Sequence, residues 1–139
     1  MVKMKILITG SYGKKFSVSQ RFKSFSYAWS GIKSVLTNEH NTWIHLFLTI
    51  TAMVLGFVLK LAAVEWAALI IVTAMVWMAE LFNTCIEKIM DFSSTDYHPQ
   101  IKLIKDMAAA AVLIASIAAL IVGVIIFIPK IFNHVPFSI

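Results

Sequence analysis

The stretch Met107–Pro129 contains no charged residue, and a helix of that length crosses the hydrocarbon core of a bilayer, which takes about 20 residues. Two further apolar runs precede it. Trp43–Leu59 is uncharged when His45 is neutral, and Trp66–Ala79 is uncharged, with apolar character continuing past Glu80 to Ile86. A chain with three such runs has few ways to fold, because lipid accepts only helices or closed barrels. Composition agrees. The 139 residues are 60% hydrophobic and 14% charged, with mean hydropathy +0.85. That is too apolar for a disordered chain or for the charged shell of an ordinary soluble domain. The length is that of one domain. A single cysteine, Cys85, leaves no intrachain disulfide and no cysteine-built zinc site; it is expected to be a buried, inert residue of the second span.

The runs predict an all-α membrane protein with three transmembrane helices at about 42–60, 65–88 and 106–128. Before them, Phe22, Phe25, Trp29, Ile32 and Leu36 recur at steps of three and four, which is one face of a helix over about 20–38. With Arg21, Lys23 and Lys33 off that face, this is an amphipathic helix suited to the membrane surface. Residues 1–19 read as a weakly structured tail and 132–139 as a C-terminal tail. Gly10-Ser11-Tyr12-Gly13-Lys14-Lys15 has the residue types of a phosphate loop without its spacing. No signal peptide is visible. Trp29, Trp43, Trp66 and Tyr97 are expected as interface anchors.

Charge sets the orientation. Net charge is +5, but the excess is not the mark of a nucleic-acid binder. Lys3, Lys5, Lys14, Lys15, Arg21, Lys23 and Lys33 all precede the first span, and Lys88, Lys102 and Lys105 flank the second connection. Basic residues concentrate on the cytoplasmic side. The N-terminus and the 88–105 connection are therefore placed inside, and the 60–65 turn and the C-terminus outside.

The seven acids are Glu39, Glu65, Glu80, Glu87, Asp91, Asp96 and Asp106. Only Glu65 falls at the outer turn, where it reads as a solvated end residue. On a helix Glu80 and Glu87 lie within about 20° of each other, with Asn83, Thr84 and Asp91 nearby. A carboxylate inside an apolar helix is costly unless paired or hydrated, so two on one face point to a site. The bland reading is interhelical hydrogen bonding that holds a bundle together. Carboxylates and an amide are oxygen ligands, suited to magnesium. Asp106 is expected at a helix N-terminus, where an acid is favourable by itself, and Lys105 at a depth where an ammonium reaches a phosphate. Asp96-Tyr97-His98-Pro99 reads as a polar loop. His40 and His45 read as hydrogen-bonded interface residues. Together these groups fit phosphoryl transfer, which needs charge neutralisation and positioning above all.

Glu80-Leu81-Phe82-Asn83-Thr84-Cys85-Ile86-Glu87-Lys88-Ile89-Met90-Asp91 resembles the E-x-x-N-[ST]-x-I-E-x-x-x-D signature of the prokaryotic diacylglycerol kinase family. Lys105-Asp106-Met107-Ala108-Ala109-Ala110 resembles its second motif, and Tyr27-Ala28-Trp29-Ser30-Gly31 with Asn38-Glu39 its surface helix. The resemblance covers about residues 20–131. It implies a small integral kinase of the bacterial cytoplasmic membrane, working as a homotrimer with sites shared between subunits and using ATP and magnesium. Carried over by position, it implies Glu80 as the catalytic base and Glu39 and Glu87 as metal ligands. Tyr27, Glu39, Glu87, Asp96, Tyr97, His98, Lys105 and Asp106 are the implied nucleotide-contacting set, with Asn83 and Asp91 as further polar site residues. Departures are Gln20 where the family often has arginine, Trp43 where many relatives are polar, and alanines at 108–110 where several have glycine. The family has one branch that phosphorylates diacylglycerol and another that phosphorylates undecaprenol. Ile44-His45, His98-Pro99 and Phe127-Ile128-Pro129-Lys130 resemble the second, and the lipid stays open between the two. The alternatives from other classes are a small proton-coupled transporter using Glu80 and a noncatalytic helical scaffold. The transporter would keep its acid near the bilayer midplane, with few acids at one edge.

Overall fold

The computed structural model describes residues 17–94 and 96–134. Most of the expected 1–19 tail, the Gly10–Lys15 stretch and the end of the 132–139 tail lie outside them. The described chain is four helices, α1 (Val18–Asn38), α2 (His40–Val58), α3 (Ala63–Ser93) and α4 (Pro99–His134). The last three are long and apolar enough to cross a membrane, and their outer faces carry exposed isoleucine, leucine and phenylalanine throughout.

α3 and α4 form the most extensive pair, and α2 leans on both. The seam on α3 is Leu69, Val76, Glu80 and Thr84, all buried, at spacings of seven and four that keep one stripe facing a neighbour. α4, which packs most closely on α3, buries Ala108 and Ala115, small residues that let apolar helices approach closely. Of the 108–111 alanine run only Ala108 is buried. Cys85 is exposed rather than buried, because it follows Thr84 by one residue and so turns about 100° away from the seam.

The α2–α3 connection is tight. Lys60 takes a positive φ of 51°. The Leu61 N–H donates to the Gly56 carbonyl and the Lys60 N–H to that of Phe57, which is the Schellman arrangement that closes a helix C-terminus. Glu65 is not merely solvated. Its carboxylate accepts the Ala62 N–H at 2.6 Å and pairs with Lys130 at 3.0 Å, fastening the start of α3 to the end of α4. Trp66 likewise does more than anchor. Its indole lies so close to Gly56 that an added Cβ would stand 2.7 Å from Cη2, and its ring packs on Phe57 at 4.8 Å. Leu59, Leu61, Leu69 and Ile126 form a buried cluster at this end.

The helices run longer than the apolar stretches. α3 continues to Ser93. α4 begins at Pro99 rather than at 106 and passes through Pro129 to His134. Pro99 at the first helical position loses no hydrogen bond, and His98 Nδ1 accepts the Gln100 N–H at 3.3 Å, so His98-Pro99 starts the helix. Asp106 is therefore in the third turn and not at a helix N-terminus, and among the described residues the connection before α4 is non-helical at 94 and 96–98. At the other end of α4, Pro129 is tolerated as prolines are in spanning helices.

α1 meets α2 at Glu39, whose extended backbone (φ −114°, ψ 117°) both ends one helix and precedes the other. Ile32, Val35 and Leu36 face Leu46, Trp77 and Leu81 across a cleft of about 290 Å³. The rest of the aromatic stripe stands clear of the bundle: Phe22, Phe25 and Trp29 are 71%, 75% and 67% exposed. That is the disposition of a helix whose apolar side meets lipid.

Candidate functional site

The site forms where the N-terminal end of α2 crosses the C-terminal half of α3. Successive contacts run antiparallel between these helices: His45 with Glu80, Thr49 with Trp77, Gly56 with Trp66. Thr42, His45 and Thr49, at steps of three and four, therefore present one polar stripe of α2 to α3. The Trp77 indole donates to Thr49 Oγ1 at 3.1 Å and fixes the register.

Glu80 is only 3% exposed. His45 Nε2 stands 3.8 Å from Glu80 Oε2. Thr42 is fully buried; its hydroxyl is directed at the same carboxylate but does not reach hydrogen-bond geometry with it or with any other group among the described residues. Glu87 and Glu39 are within electrostatic reach of Glu80. Glu87 Oε1 accepts a hydrogen bond from Asn83 Nδ2 at 3.0 Å, while Asn83 Oδ1 is buried without a partner. Lys88 Nζ pairs with Glu39 Oε1 at 3.2 Å. Lys105 Nζ pairs with Asp91 Oδ1 at 2.8 Å and also feels Glu87.

So Glu80, Asn83, Glu87 and Asp91, singled out by spacing, gather at one end of the bundle with Glu39 and Lys105. The other candidates do not join them within a single chain. Asp106 forms an i,i+4 ion pair with Lys102. Asp96, Tyr97 and His98 are exposed in the 94–98 connection, and Tyr27 is exposed on α1. Thr42, His45 and Lys88 are additions. His45 reads in the sequence as an interface residue, but its partner is the buried carboxylate. The available signal was the Thr42–His45–Thr49 spacing at the polar start of an otherwise apolar helix.

From His45 an apolar groove of about 410 Å³ runs between α2, α3 and α4 toward Phe127 and Ile128. Along α2 it spans His45 to Leu55, about 15 Å at 1.5 Å per residue. The acidic cluster thus sits at the mouth of a slot lined by hydrocarbon.

Among the described residues no three His, Cys, Asp or Glu side chains form a ready-made metal-binding group. The donor chemistry nevertheless fits magnesium, which is commonly held by one or two carboxylates together with substrate phosphates. Glu39, Glu87 and the unpartnered Asn83 Oδ1 are oxygen donors of that kind.

Comparison with known proteins places this geometry in context. The family model described as prokaryotic diacylglycerol kinase matches residues 26–127. The undecaprenol kinase of Bacillus subtilis (strain 168) is 34% identical over 109 residues, 78% of this chain and 89% of that protein. The diacylglycerol kinase of Synechocystis sp. is 36% identical over 111 residues, 79% of this chain and 63% of that protein. The diacylglycerol kinase of Escherichia coli (strain K12) is 32% identical over 99 residues, 71% of this chain and 81% of that protein.

Proposed function

This chain belongs to the prokaryotic diacylglycerol kinase family, and on that premise we propose that it transfers the γ-phosphoryl group of ATP to the hydroxyl of a membrane lipid alcohol, either diacylglycerol or undecaprenol. The observation that carries the reading is the buried Glu80 carboxylate, placed where an apolar groove meets a cluster of acids and a lysine. A lipid tail lies in the groove and its hydroxyl reaches Glu80. Glu80 takes the hydroxyl proton as the oxygen bonds to the γ-phosphorus and the bond to the β,γ-bridging oxygen breaks, leaving phosphorylated lipid and ADP.

Glu39 and Glu87, with Asn83 hydrogen-bonded to Glu87, are the residues that would hold magnesium. When bound, the ion supplies charge neutralisation on the phosphate oxygens. Lys105 exchanges Asp91 for a phosphate oxygen, and Glu39 gives up Lys88. Tyr27, Asp96, Tyr97, His98 and Asp106 contact the nucleotide from their exposed positions. The catalytic unit is residues 20–131 in a homotrimer with shared sites, set in the cytoplasmic membrane with the N-terminus and the 94–98 connection inside. Lysine distribution supports that orientation. The acids crowd one end of the bundle, which favours an enzyme fed by a cytosolic cosubstrate over a transporter.

The test uses purified protein in mixed micelles with magnesium and γ-labelled ATP, offering dioleoylglycerol and undecaprenol separately. Label enters one lipid and is lost in Glu80→Gln. No label in either lipid, from folded protein, overturns the reading.

A further inference from the structure

We propose that Thr42 and His45 form, opposite Glu80, the pocket that recognises the acceptor hydroxyl and aligns it for transfer. The inference deepens the kinase reading and rests on it.

Three polar side chains converge at this point: Thr42 and His45 both lie within electrostatic reach of Glu80, but neither makes a hydrogen bond of good geometry to it. The Thr42 hydroxyl is fully buried and unpartnered. His45 Nε2 and Glu80 Oε2 are 3.8 Å apart, beyond the 2.7–3.2 Å of a hydrogen bond. Side-chain exposure is 15% for His45 and 4% for Glu80. Buried polar groups are almost always paired, so each exception calls for an explanation. A single hydroxyl supplies one. It donates its proton to Glu80 and accepts from both the Thr42 O–H and a His45 N–H through its two lone pairs, meeting all three through one oxygen.

Position supports the same occupant. His45 is both a neighbour of Glu80 and the first residue of the apolar groove. A hydroxyl carried on a hydrocarbon tail therefore fits on both sides, whereas a purely ionic ligand would leave the groove empty. The nearby charges are otherwise engaged: Glu39 with Lys88, Glu87 with Asn83, Asp91 with Lys105. Thr42 and His45 come from the same face of α2, held in register by the Trp77–Thr49 hydrogen bond one turn on. As groups that face the hydroxyl rather than the nucleotide, they act on lipid kinetics alone.

The experiment measures steady-state kinetics of the full chain in micelles for the alcohol that the parent phosphorylates, with Thr42→Val, Thr42→Ser and His45→Leu. Losing one such hydrogen bond raises the lipid KM about tenfold in Thr42→Val and in His45→Leu, with the ATP KM unchanged. Thr42→Ser, which keeps the hydroxyl, stays within about twofold of the parent. Folded Thr42→Val and His45→Leu variants with parental lipid KM overturn the proposal while the kinase reading stands. So does a parallel rise in lipid and ATP KM, which marks a role in holding α2 to α3. His45→Leu decides by itself if Thr42→Val does not fold. A parent that transfers no phosphoryl group to either alcohol overturns the kinase reading, and the acceptor assignment with it.

Discussion

At the scale of single residues, the site is a set of compensated charges. Glu39 is held by Lys88 and Asp91 by Lys105, at 3.2 and 2.8 Å. Each pair has one partner more than half exposed, so water reaches both pairs and they cost little to open. Glu39→Gln and Glu87→Gln each remove a charged oxygen donor and should raise the magnesium concentration needed for half-maximal ATP binding by at least about tenfold. Titrating magnesium against ATP binding checks this, and curves that overlay the parent reject the metal assignment. The acids were legible in the sequence because a carboxylate within an apolar helix has few bland explanations. Thr42 and His45 were not, since threonine and histidine near a membrane edge are ordinary. Their spacing with Thr49 puts them on one face of α2, but only burial against Glu80 on another helix marks that face as part of the site.

At the scale of elements, apolar length reports where lipid contact must be and says less about where a helix stops. α3 and α4 outrun their apolar cores by several residues because polar turns continue the helix beyond the hydrocarbon. Pro99 and His98 supply the real start of α4. The α2–α3 corner is the most demanding local feature. Gly56→Ala would drive a Cβ to 2.7 Å from the Trp66 ring, which already rests on Phe57 and has little room to yield. Overpacking of this kind should destabilise by about 1–3 kcal/mol. Gly31→Ala is the matched control, since an added Cβ there meets nothing within 4 Å; it should leave stability unchanged or raise it by up to about 1 kcal/mol. Unfolding by added denaturing detergent, followed by circular dichroism, compares the two. Equal midpoints would show that the corner tolerates the methyl group.

At the scale of the whole molecule, one chain does not bring the whole candidate set of residues together. Tyr27 is 72% exposed and Tyr97 80%, and both stand apart from the cluster they are expected to serve. Glutaraldehyde crosslinking in mild detergent should give trimers, and an inactive Glu80→Gln chain mixed with an Asp106→Asn chain, whose altered residue stands outside the cluster that holds Glu80, should regain part of the activity if sites are shared. A fully active monomer rejects that arrangement. The three long apolar helices were readable from the apolar runs, but those runs do not tell a face that meets lipid from one that meets another chain, because both are apolar. The internal division of labour has a consequence of its own. Leu59, Leu61, Leu69, Ile126 and the Trp66 corner bind the helices at one end, and the polar groups with unfilled hydrogen bonds sit at the other. The molecule is built like a pair of tongs, riveted at the handle and open at the jaws. Selection can reshape what the jaws grip without loosening the rivet, so a change of acceptor alcohol demands no new solution to folding.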